Sequence, residues 1–244
     1  MKAWVLNLKH REDRYRRIVK ALANEGVDYE IFHGVYWKDP DFFKTLSLND
    51  MKIYKNWKIE GSPVKWYNRG VNAGEAAVAM STILMWEKML KESDDDMFLC
   101  LQDDTVWKQG DLKILMNLVE NTDHHGADLI YLCGYHTSGY DYKFKPIDKW
   151  YEEPDYVYNA HAIVYKRTAI EHMIANGYCQ HLMSLDEYLM IQCHTTHRMD
   201  VAEDLGIVEP MKAIKMKWTE NILQQVNDMD DVISDIADTP EVKL

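Results

Sequence analysis

The sequence predicts a single α/β domain of Rossmann-like type, in which a mostly parallel central sheet carries helices on both faces. Short apolar segments typical of buried strands alternate along the chain with longer segments whose apolar residues recur every three or four positions. Strands that alternate with helices in this way form parallel sheets covered on both sides. The chain has 244 residues, of which 47% are hydrophobic, and this is enough for one large core. We expect the domain to span residues 1–225 and an acidic C-terminal tail or helix to span 226–244.

The N-terminal part of the chain contains the first strand–helix–strand unit. Residues 3–8 predict a buried strand, and residues 11–25 predict a helix that ends at Gly26. Residues 29–32 predict a second strand. Residues 35–72 are rich in aromatic and polar side chains, and we interpret them as a long irregular segment of the kind that often forms a binding loop or lid.

The alternation of strands and helices continues in the rest of the chain. The strongest helix signal is the broad apolar face of residues 74–92, and a further helix at 184–194 begins with Ser184 and Glu187 at the spacing of a capping box. Beyond residue 205 the pattern weakens. The remaining predicted strands are 97–101, 127–134 and 158–165, and the remaining predicted helices are 111–122 and 167–176.

Charge and hydropathy exclude several classes of function. The formal net charge of −12 argues against broad binding to nucleic acid or to anionic membranes. No apolar run is long enough to cross a bilayer, and the N-terminus becomes charged too early for a secretory signal. We therefore expect a cytoplasmic protein, of a bacterium or of a virus-infected cell. The sequence does not define an oligomeric state.

Two adjacent carboxylates, Asp103 and Asp104, directly follow the predicted strand 97–101. Ligands of a parallel α/β sheet bind beyond the carboxyl ends of its strands, so these side chains are expected at a ligand-binding edge. Their oxygens suit Mg²⁺ or Mn²⁺, cations that also bind the oxygens of a diphosphate. The alternative interpretation is a solvated acidic turn after a strand.

A basic cluster lies where the first predicted strand meets the first helix. Arg11 and Arg14 belong to this cluster, and an arginine can bind a phosphate group through two hydrogen bonds. The alternative is an exposed helix face that forms ion pairs with Glu12 and Asp13.

Five motifs follow one another over roughly residues 3–220. They are LNLKHREDR (6–14), GEAAVAMST (74–82), LQDD (101–104), DLIYLCG (128–134) and LDEYL (185–189). In this order they resemble glycosyltransferase family 25, which includes lipooligosaccharide and procollagen galactosyltransferases. The sequence departs from the family pattern at Gln102, where the family has an acidic residue, and at Ala77, Val78 and Thr82, where it has Gly, Cys and His.

The resemblance implies a GT-A fold, a nucleotide-sugar donor that is usually a UDP-sugar, and a divalent metal that is often Mn²⁺, with Mg²⁺ as the alternative. It implies that Asp104 contacts the metal and that Asp103 contacts the metal or the donor. By the same resemblance, Asn7, Arg11 and Arg14 are candidates for donor binding, with Arg11 our first choice. Glu75 is a further candidate for donor binding, but it is equally explained as a carboxylate stabilised at a helix N-terminus.

The catalytic candidates are Asp186 and Glu187 in the LDEYL motif. Characterised galactosyltransferases of the resembled family typically invert the anomeric centre, a reaction that needs a base to take the proton of the acceptor hydroxyl. We assign that role to Asp186. Both residues also fit a simpler explanation, since acidic side chains in the first turn of a helix offset its dipole.

The expected activity is that of a hexosyltransferase. It moves galactose or glucose from a UDP-sugar to a hydroxyl of a glycan or protein, with inversion. Gln102 motivates a second hypothesis, a nucleotide-sugar-binding protein with weakened catalysis. A third hypothesis is transfer to a modified base in DNA, which the net negative charge disfavours.

Overall fold

The computed structural model describes residues 1–133, 144–157, 159–217, 222–225 and 240–242. In this part of the chain, two 3-10 turns, Lys55–Trp57 and Tyr178–Gln180, accompany the regular elements. The regular elements are β1 (Ala3–Asn7), α1 (Glu12–Glu25), β2 (Tyr29–His33), α2 (Phe42–Leu48), α3 (Ala73–Glu92), β3 (Met97–Gln102), β4 (Thr105–Val106), α4 (Asp111–Asn121), β5 (Leu129–Tyr131), β6 (Lys145–Pro146), β7 (Tyr151–Glu153), β8 (Ala162–Lys166), α5 (Arg167–Ala175), α6 (Leu185–Gln192), α7 (Met199–Asp204), β9 (Ala213–Met216) and β10 (Gln224–Gln225).

Within the described residues, eight strands form one sheet in the order β2-β1-β3-β8-β5-β9-β7-β6. β1 is parallel to β2 and β3, and β5 is parallel to β9. β8 lies antiparallel between β3 and β5, and β7 lies antiparallel between β9 and β6. All strands of this sheet except β7 and β8 therefore point in one direction. The predicted fold class, an α/β domain with a mostly parallel sheet, is confirmed.

Helices cover both faces of the sheet. Side chains alternate between the two faces along each strand, so Trp4 and Phe98 face the layer of α3, α5, α6 and α7, whereas Val5 and Leu99 face α1 and α4. These four side chains are at most 1% exposed. Burial of each large apolar side chain contributes about 1.5–3 kcal/mol to stability, so the two layers hold the sheet from both sides.

The two helices that flank the site begin and end as their sequences dictate. α1 ends at Gly26, whose φ of 63° is readily adopted only by a residue without a Cβ atom, as predicted. α3 begins with a capping box: the Asn72 side chain accepts a bond from the Glu75 amide at 2.7 Å, and the Glu75 carboxylate accepts one from the Asn72 amide at 2.9 Å. This helix is buried on most of its surface, which explains its strong apolar signal.

Some sequence predictions differ from the structure. The predicted capping box at Ser184 is wrong, because Ser184 makes no side-chain cap bond and the Glu187 carboxylate binds tyrosine hydroxyls instead. Residues 35–72 are not wholly irregular, since they contain α2 and a 3-10 turn. The predicted strand 158–165 is observed as β8, and Tyr158 lies outside the described residues. The short strands β4, β6, β7, β9 and β10 and the helix α7 were not predicted.

Most of the predicted tail, residues 226–244, lies outside the described part of the chain. Its described residues, 240–242, run beside the residues that precede α3. The Ala73 amide donates to the Pro240 carbonyl at 2.8 Å, and the Val242 amide donates to the Val71 carbonyl at 3.1 Å. The proposed domain boundary near residue 225 stays a prediction. None of the described helices combines the length and the apolar character needed to span a bilayer.

Candidate functional site

The candidate site lies at the carboxyl ends of β1 and β3, which are neighbours in the sheet. Leu6 pairs with Gln102 in the parallel register, and the Asp103 amide donates to the Leu6 carbonyl at 3.1 Å. This bond continues the ladder by one residue past the end of β3. It places the Asp103 side chain beside Asn7, at the edge of the sheet where α/β proteins bind ligands.

Four of the predicted site residues meet at this edge. The Asp103 carboxylate accepts a bond from Asn7 Nδ2 at 2.6 Å and one from Arg14 Nη1 at 3.2 Å. The same Arg14 nitrogen lies 3.5 Å from Asp104 Oδ2. Asp103 and Asp104 are only 5% and 7% exposed, so the solvated acidic turn is not what the structure shows.

Arg17 belongs to the same cluster and was missed by the sequence analysis as a site residue. Its Nη2 atom donates to the Asp103 carbonyl at 3.3 Å. Arg17 follows Arg14 by three positions and therefore lies on the same face of α1. That spacing is the signal that could have identified it.

Burial and charge together set the protonation of this cluster. Burial raises the pKa of Asp103, and the neighbouring Asp104 charge adds to the effect, whereas Arg14 and the Asn7 amide oppose it. His161, which is buried next to the pair, has its pKa lowered by burial while the charge of Asp104 works against this. Arg14 and Arg17 lie beside the two carboxylates, so cationic and anionic groups stand together at this edge of the sheet.

The oxygen atoms in this cluster fit a divalent cation that is bound jointly with a diphosphate. Mg²⁺ is commonly held by one or two carboxylates together with phosphate oxygens and waters, and Asp103 and Asp104 supply two carboxylates. Among the described residues, Asn7 Oδ1 is buried without a hydrogen-bond partner, which leaves a third oxygen at the same place. No group of three or more His, Cys, Asp or Glu suited to a metal occurs in the part of the chain that the structure describes. The assignment of Asp103 and Asp104 as metal ligands therefore stays a prediction.

Arg11, our first choice for donor binding, is oriented differently from Arg14. Its Nε and Nη2 atoms bind the two oxygens of Asp13 at 3.1 and 3.0 Å, which lowers the pKa of Asp13 to about 2. Its carbonyl accepts a 3.4 Å bond from Asn7 Nδ2, so its backbone contacts the cluster. The structure thus brings Arg14 to the aspartate pair and leaves Arg11 paired with Asp13, and the donor-binding role of both stays a prediction.

Asp186 lies in the first turn of α6, as predicted. Its pKa is raised to about 7, first by burial and then by the charge of Glu187, against the opposing effect of hydrogen bonds from the backbone of Ala160 and Asn159. The next residue, His161, accepts a bond from the Gln102 amide at 2.9 Å through its carbonyl. The segment that leads into β8 therefore connects the Asp186 carboxyl with the end of β3.

The remaining two candidates are engaged by other side chains. Glu187 is 3% exposed and accepts bonds from Tyr67 at 2.9 Å, Tyr156 at 2.6 Å and Thr196 at 3.4 Å. Glu75 receives two bonds of 2.8 Å from Arg69 in addition to its capping bonds, and its charge contributes to the raised pKa of Asp186. The structure supports the helix-start explanation of Glu75, and a sugar contact stays a prediction.

Comparison with known proteins gives one family match. The model of glycosyltransferase family 25 (LPS biosynthesis protein) matches residues 1–194. Among curated proteins, procollagen galactosyltransferase 2 from Homo sapiens is 24% identical over 131 residues, which are 53% of this chain and 20% of that protein. The chain therefore matches about a fifth of the length of this relative.

Solved structures show only a distant likeness. The galactosyltransferase LgtC in complex with donor and acceptor sugar analogs is 11% identical, with a TM-score of 0.36, and the match covers 88% of this chain and 86% of that one. A glycosyltransferase involved in glycosylation of the major capsid of PBCV-1 is 9% identical, with a TM-score of 0.36 and coverages of 72% and 64%. Mouse xyloside xylosyltransferase 1 is 11% identical, with a TM-score of 0.36 and coverages of 88% and 83%. Scores of this size support no conclusion about chemistry.

Proposed function

The chain belongs to glycosyltransferase family 25, and from this premise we propose that it transfers galactose or glucose from a UDP-sugar to a hydroxyl group of a glycan or protein, with inversion at the anomeric carbon. The observation that carries the proposal is the convergence of Asn7, Arg14, Asp103 and Asp104 at one edge of the sheet. Each of these residues comes from a family motif, and together they combine cationic and anionic groups at the place where α/β sheets bind ligands.

On the donor side, Asp103 and Asp104 are the residues that would hold Mn²⁺ or Mg²⁺. Such a cation, when bound, neutralises negative charge on the diphosphate leaving group. Asn7 fixes one oxygen of Asp103 through its 2.6 Å bond and so restricts the rotation of that carboxylate. Arg14 and Arg17 contribute positive charge at the same edge, where a diphosphate is attracted by the local field.

On the acceptor side, Asp186 is the proposed base. Its carboxylate takes the proton of the acceptor hydroxyl, the hydroxyl oxygen forms a bond to the anomeric carbon, and the bond from that carbon to the diphosphate oxygen breaks. The nucleoside diphosphate leaves with the bonding electrons. A base whose pKa is about 7 combines a sizeable ionised fraction with useful basicity near neutral pH.

The test is release of UDP from UDP-galactose and UDP-glucose in the presence of a panel of glycan and peptide acceptors, with Mn²⁺ and with a chelator. We expect Asp104→Ala to lower turnover by about 100-fold or more, because it removes a group that acts on the departing diphosphate. The matched control is Asp94→Asn, an exposed carboxylate before β3. Full turnover of Asp104→Ala, or equal turnover with and without chelator, contradicts the metal role.

One observation favours a second candidate, a nucleotide-sugar-binding protein with weakened catalysis. Gln102 stands where the family motif has an acidic residue, so this site has one carboxylate fewer than the pattern implies. Calorimetric titration with UDP and Mn²⁺ separates the two candidates. Binding of UDP without turnover of any sugar donor supports the second, and transfer or hydrolysis supports the first. Gln102→Glu tests the cause, since it restores the missing carboxylate.

A further inference from the structure

Three hydroxyl groups from three separate segments meet on the carboxylate of Glu187. Tyr67, from the segment before α3, and Tyr156, from the segment before β8, both donate to Oε1. Thr196, from the link between α6 and α7, donates to Oε2 at 3.4 Å. One side chain in the first turn of α6 therefore connects parts of the chain that are far apart in sequence.

This arrangement satisfies a carboxylate that would otherwise be costly to bury. Burial raises the pKa of Glu187, whereas the bonds from Tyr156, Tyr67 and Thr196 lower it. Tyr67 and Tyr156 are each 5% exposed, so their hydroxyls also need a buried acceptor. If Glu187 is truncated, two phenol groups lose a buried acceptor, and an unsatisfied buried polar group is destabilising.

The segment that contains Tyr156 also forms hydrogen bonds to the Asp186 carboxylate of α6. Tyr156 binds Glu187 at 2.6 Å, and the Val157 amide contacts the sulfur of Met190 at 3.2 Å. Two and three residues further on, the backbone of Asn159 and Ala160 donates to the Asp186 carboxylate. The segment is thus attached to α6 at both ends, at one end by Glu187 and at the other by Asp186.

The segment that contains Tyr67 is fixed to the same region by a second buried group. Arg198 is 1% exposed, donates to the Trp57 carbonyl at 2.6 Å and pairs with Asp200 at 2.8 Å. Its guanidinium lies 4.9 Å from the ring centre of Trp57 and 5.4 Å from that of Tyr67. The Trp57–Tyr67 part of this segment is thus anchored by two buried charged groups, and the interpretation of residues 35–72 as a binding loop or lid stays a prediction.

We propose that Glu187 is a positioning residue: through Tyr67 and Tyr156 it fixes two loop segments against α6, and so it orients the Asp186 carboxylate toward the acceptor. The inference rests on the proposed function, because it needs Asp186 as the base. It assigns to Glu187 no proton transfer of its own. Both carboxylate oxygens of Glu187 already accept hydrogen bonds from hydroxyl groups of the protein.

Charged and titratable groups surround Asp186 on every element packed against it. Two acidic side chains raise the pKa of Asp186: Glu187, on its own helix, and Glu75, at the start of α3. Removal of the Glu187 charge is therefore expected to lower that pKa. The other groups that interact with Asp186 are Tyr131 and Cys133 at β5, Tyr156, Tyr165 in β8, and Tyr178.

The test compares Glu187→Gln, Glu187→Ala and Asp186→Asn, with Glu203→Gln, an exposed residue of α7, as matched control. Glu187→Gln keeps an acceptor oxygen and the shape of the side chain, so we expect a loss of kcat of about 10-fold, a size typical of residues that orient a functional group. Asp186→Asn is expected to lose about 100-fold or more, as for removal of a general base. In Glu187→Gln, the rise of kcat with pH on the acid side of its pH profile should move to lower pH, because the pKa of Asp186 falls when the Glu187 charge is removed. Loss of activity in Glu187→Gln equal to that of Asp186→Asn, with an unmoved pH profile, overturns the proposal.

A second measurement needs no activity. Amide hydrogen exchange of residues 64–69 and 155–157 should become at least about 10-fold faster in Glu187→Ala, since a lost anchor of about 1.4 kcal/mol changes a local opening equilibrium by that factor. Tyr67→Phe should affect the first segment only and Tyr156→Phe the second only. Unchanged exchange in Glu187→Ala overturns the proposal. If the wild-type chain transfers no sugar, the proposed function fails by itself, and the exchange data still decide whether Glu187 anchors these segments.

Discussion

At the scale of single residues, Asp186 is held by burial and by neighbouring carboxylates in a state that takes up a proton near neutral pH. Its pKa is raised from 3.8 to about 7, so between these pH values the folded chain binds a proton that the unfolded chain does not. The stabilisation due to this group is therefore present at low pH and is lost as the pH rises toward and through 7.

This sign predicts the behaviour of Asp186→Asn. At pH 8 the substitution removes a buried charge, and we expect the free energy of unfolding to rise by about 1–3 kcal/mol. At pH 5 the folded carboxyl is protonated but that of the unfolded chain is largely ionised, so the gain should be clearly smaller than at pH 8, and it should vanish only below pH 3.8. Urea unfolding at both pH values measures the effect, with Asp94→Asn as the exposed control. A substitution that destabilises the protein equally at both pH values contradicts the raised pKa.

Several site residues were predictable one by one, but their contacts were not. Asp103 and Asp104 follow an apolar strand, and this position alone indicates the ligand edge of the sheet. The choice between Arg11 and Arg14 depends on side-chain directions at the first turn of α1, which a motif does not encode. Arg11 turns to Asp13, and Arg14, one turn further along, reaches the aspartates.

At the scale of elements, α3 depends on the capping box formed by Asn72 and Glu75. We expect Asn72→Ala to lower the free energy of unfolding by about 1–2 kcal/mol, because the Glu75 amide loses its acceptor. Asn72→Ser should keep most of the stability, since serine also caps. Asn117→Ala, at an exposed position in α4, is the control, and chemical denaturation is the measurement. If Asn72→Ala resembles the control, the cap contributes nothing.

The elements that the sequence predicts well are those with a long and one-sided apolar pattern. β1, α1, α3 and β3 appear close to their predicted bounds. The two- to four-residue strands β4, β6, β7, β9 and β10 are too short to show a periodicity. The antiparallel direction of β8 was also beyond prediction, because strand direction is set by the connections and by long-range pairing, and the local sequence does not carry it.

At the scale of the whole molecule, the residues 240–242 tie a distant part of the chain to the start of α3 through two backbone bonds. Removal of residues 240–244 should lower Tm by about 2–4 °C, which corresponds to about 1 kcal/mol for a chain of this size. Hydrogen exchange of the Ala73 amide should become faster, since its acceptor is the Pro240 carbonyl. Removal of residues 243–244 alone is the control. An unchanged rate at Ala73 shows that the pairing contributes no stability.

The guanidinium of Arg14 forms ion pairs with both aspartates at the end of β3. Energetic effects at Asp103 and Asp104 are therefore coupled, and a double-mutant cycle between them should show a clear departure from additivity. Once either carboxylate has gone, Arg14 is fully matched by the other, so the second loss acts on a different electrostatic background. Sequence change at this edge is thus epistatic: which substitution is tolerated at one position depends on which residue already occupies its neighbour.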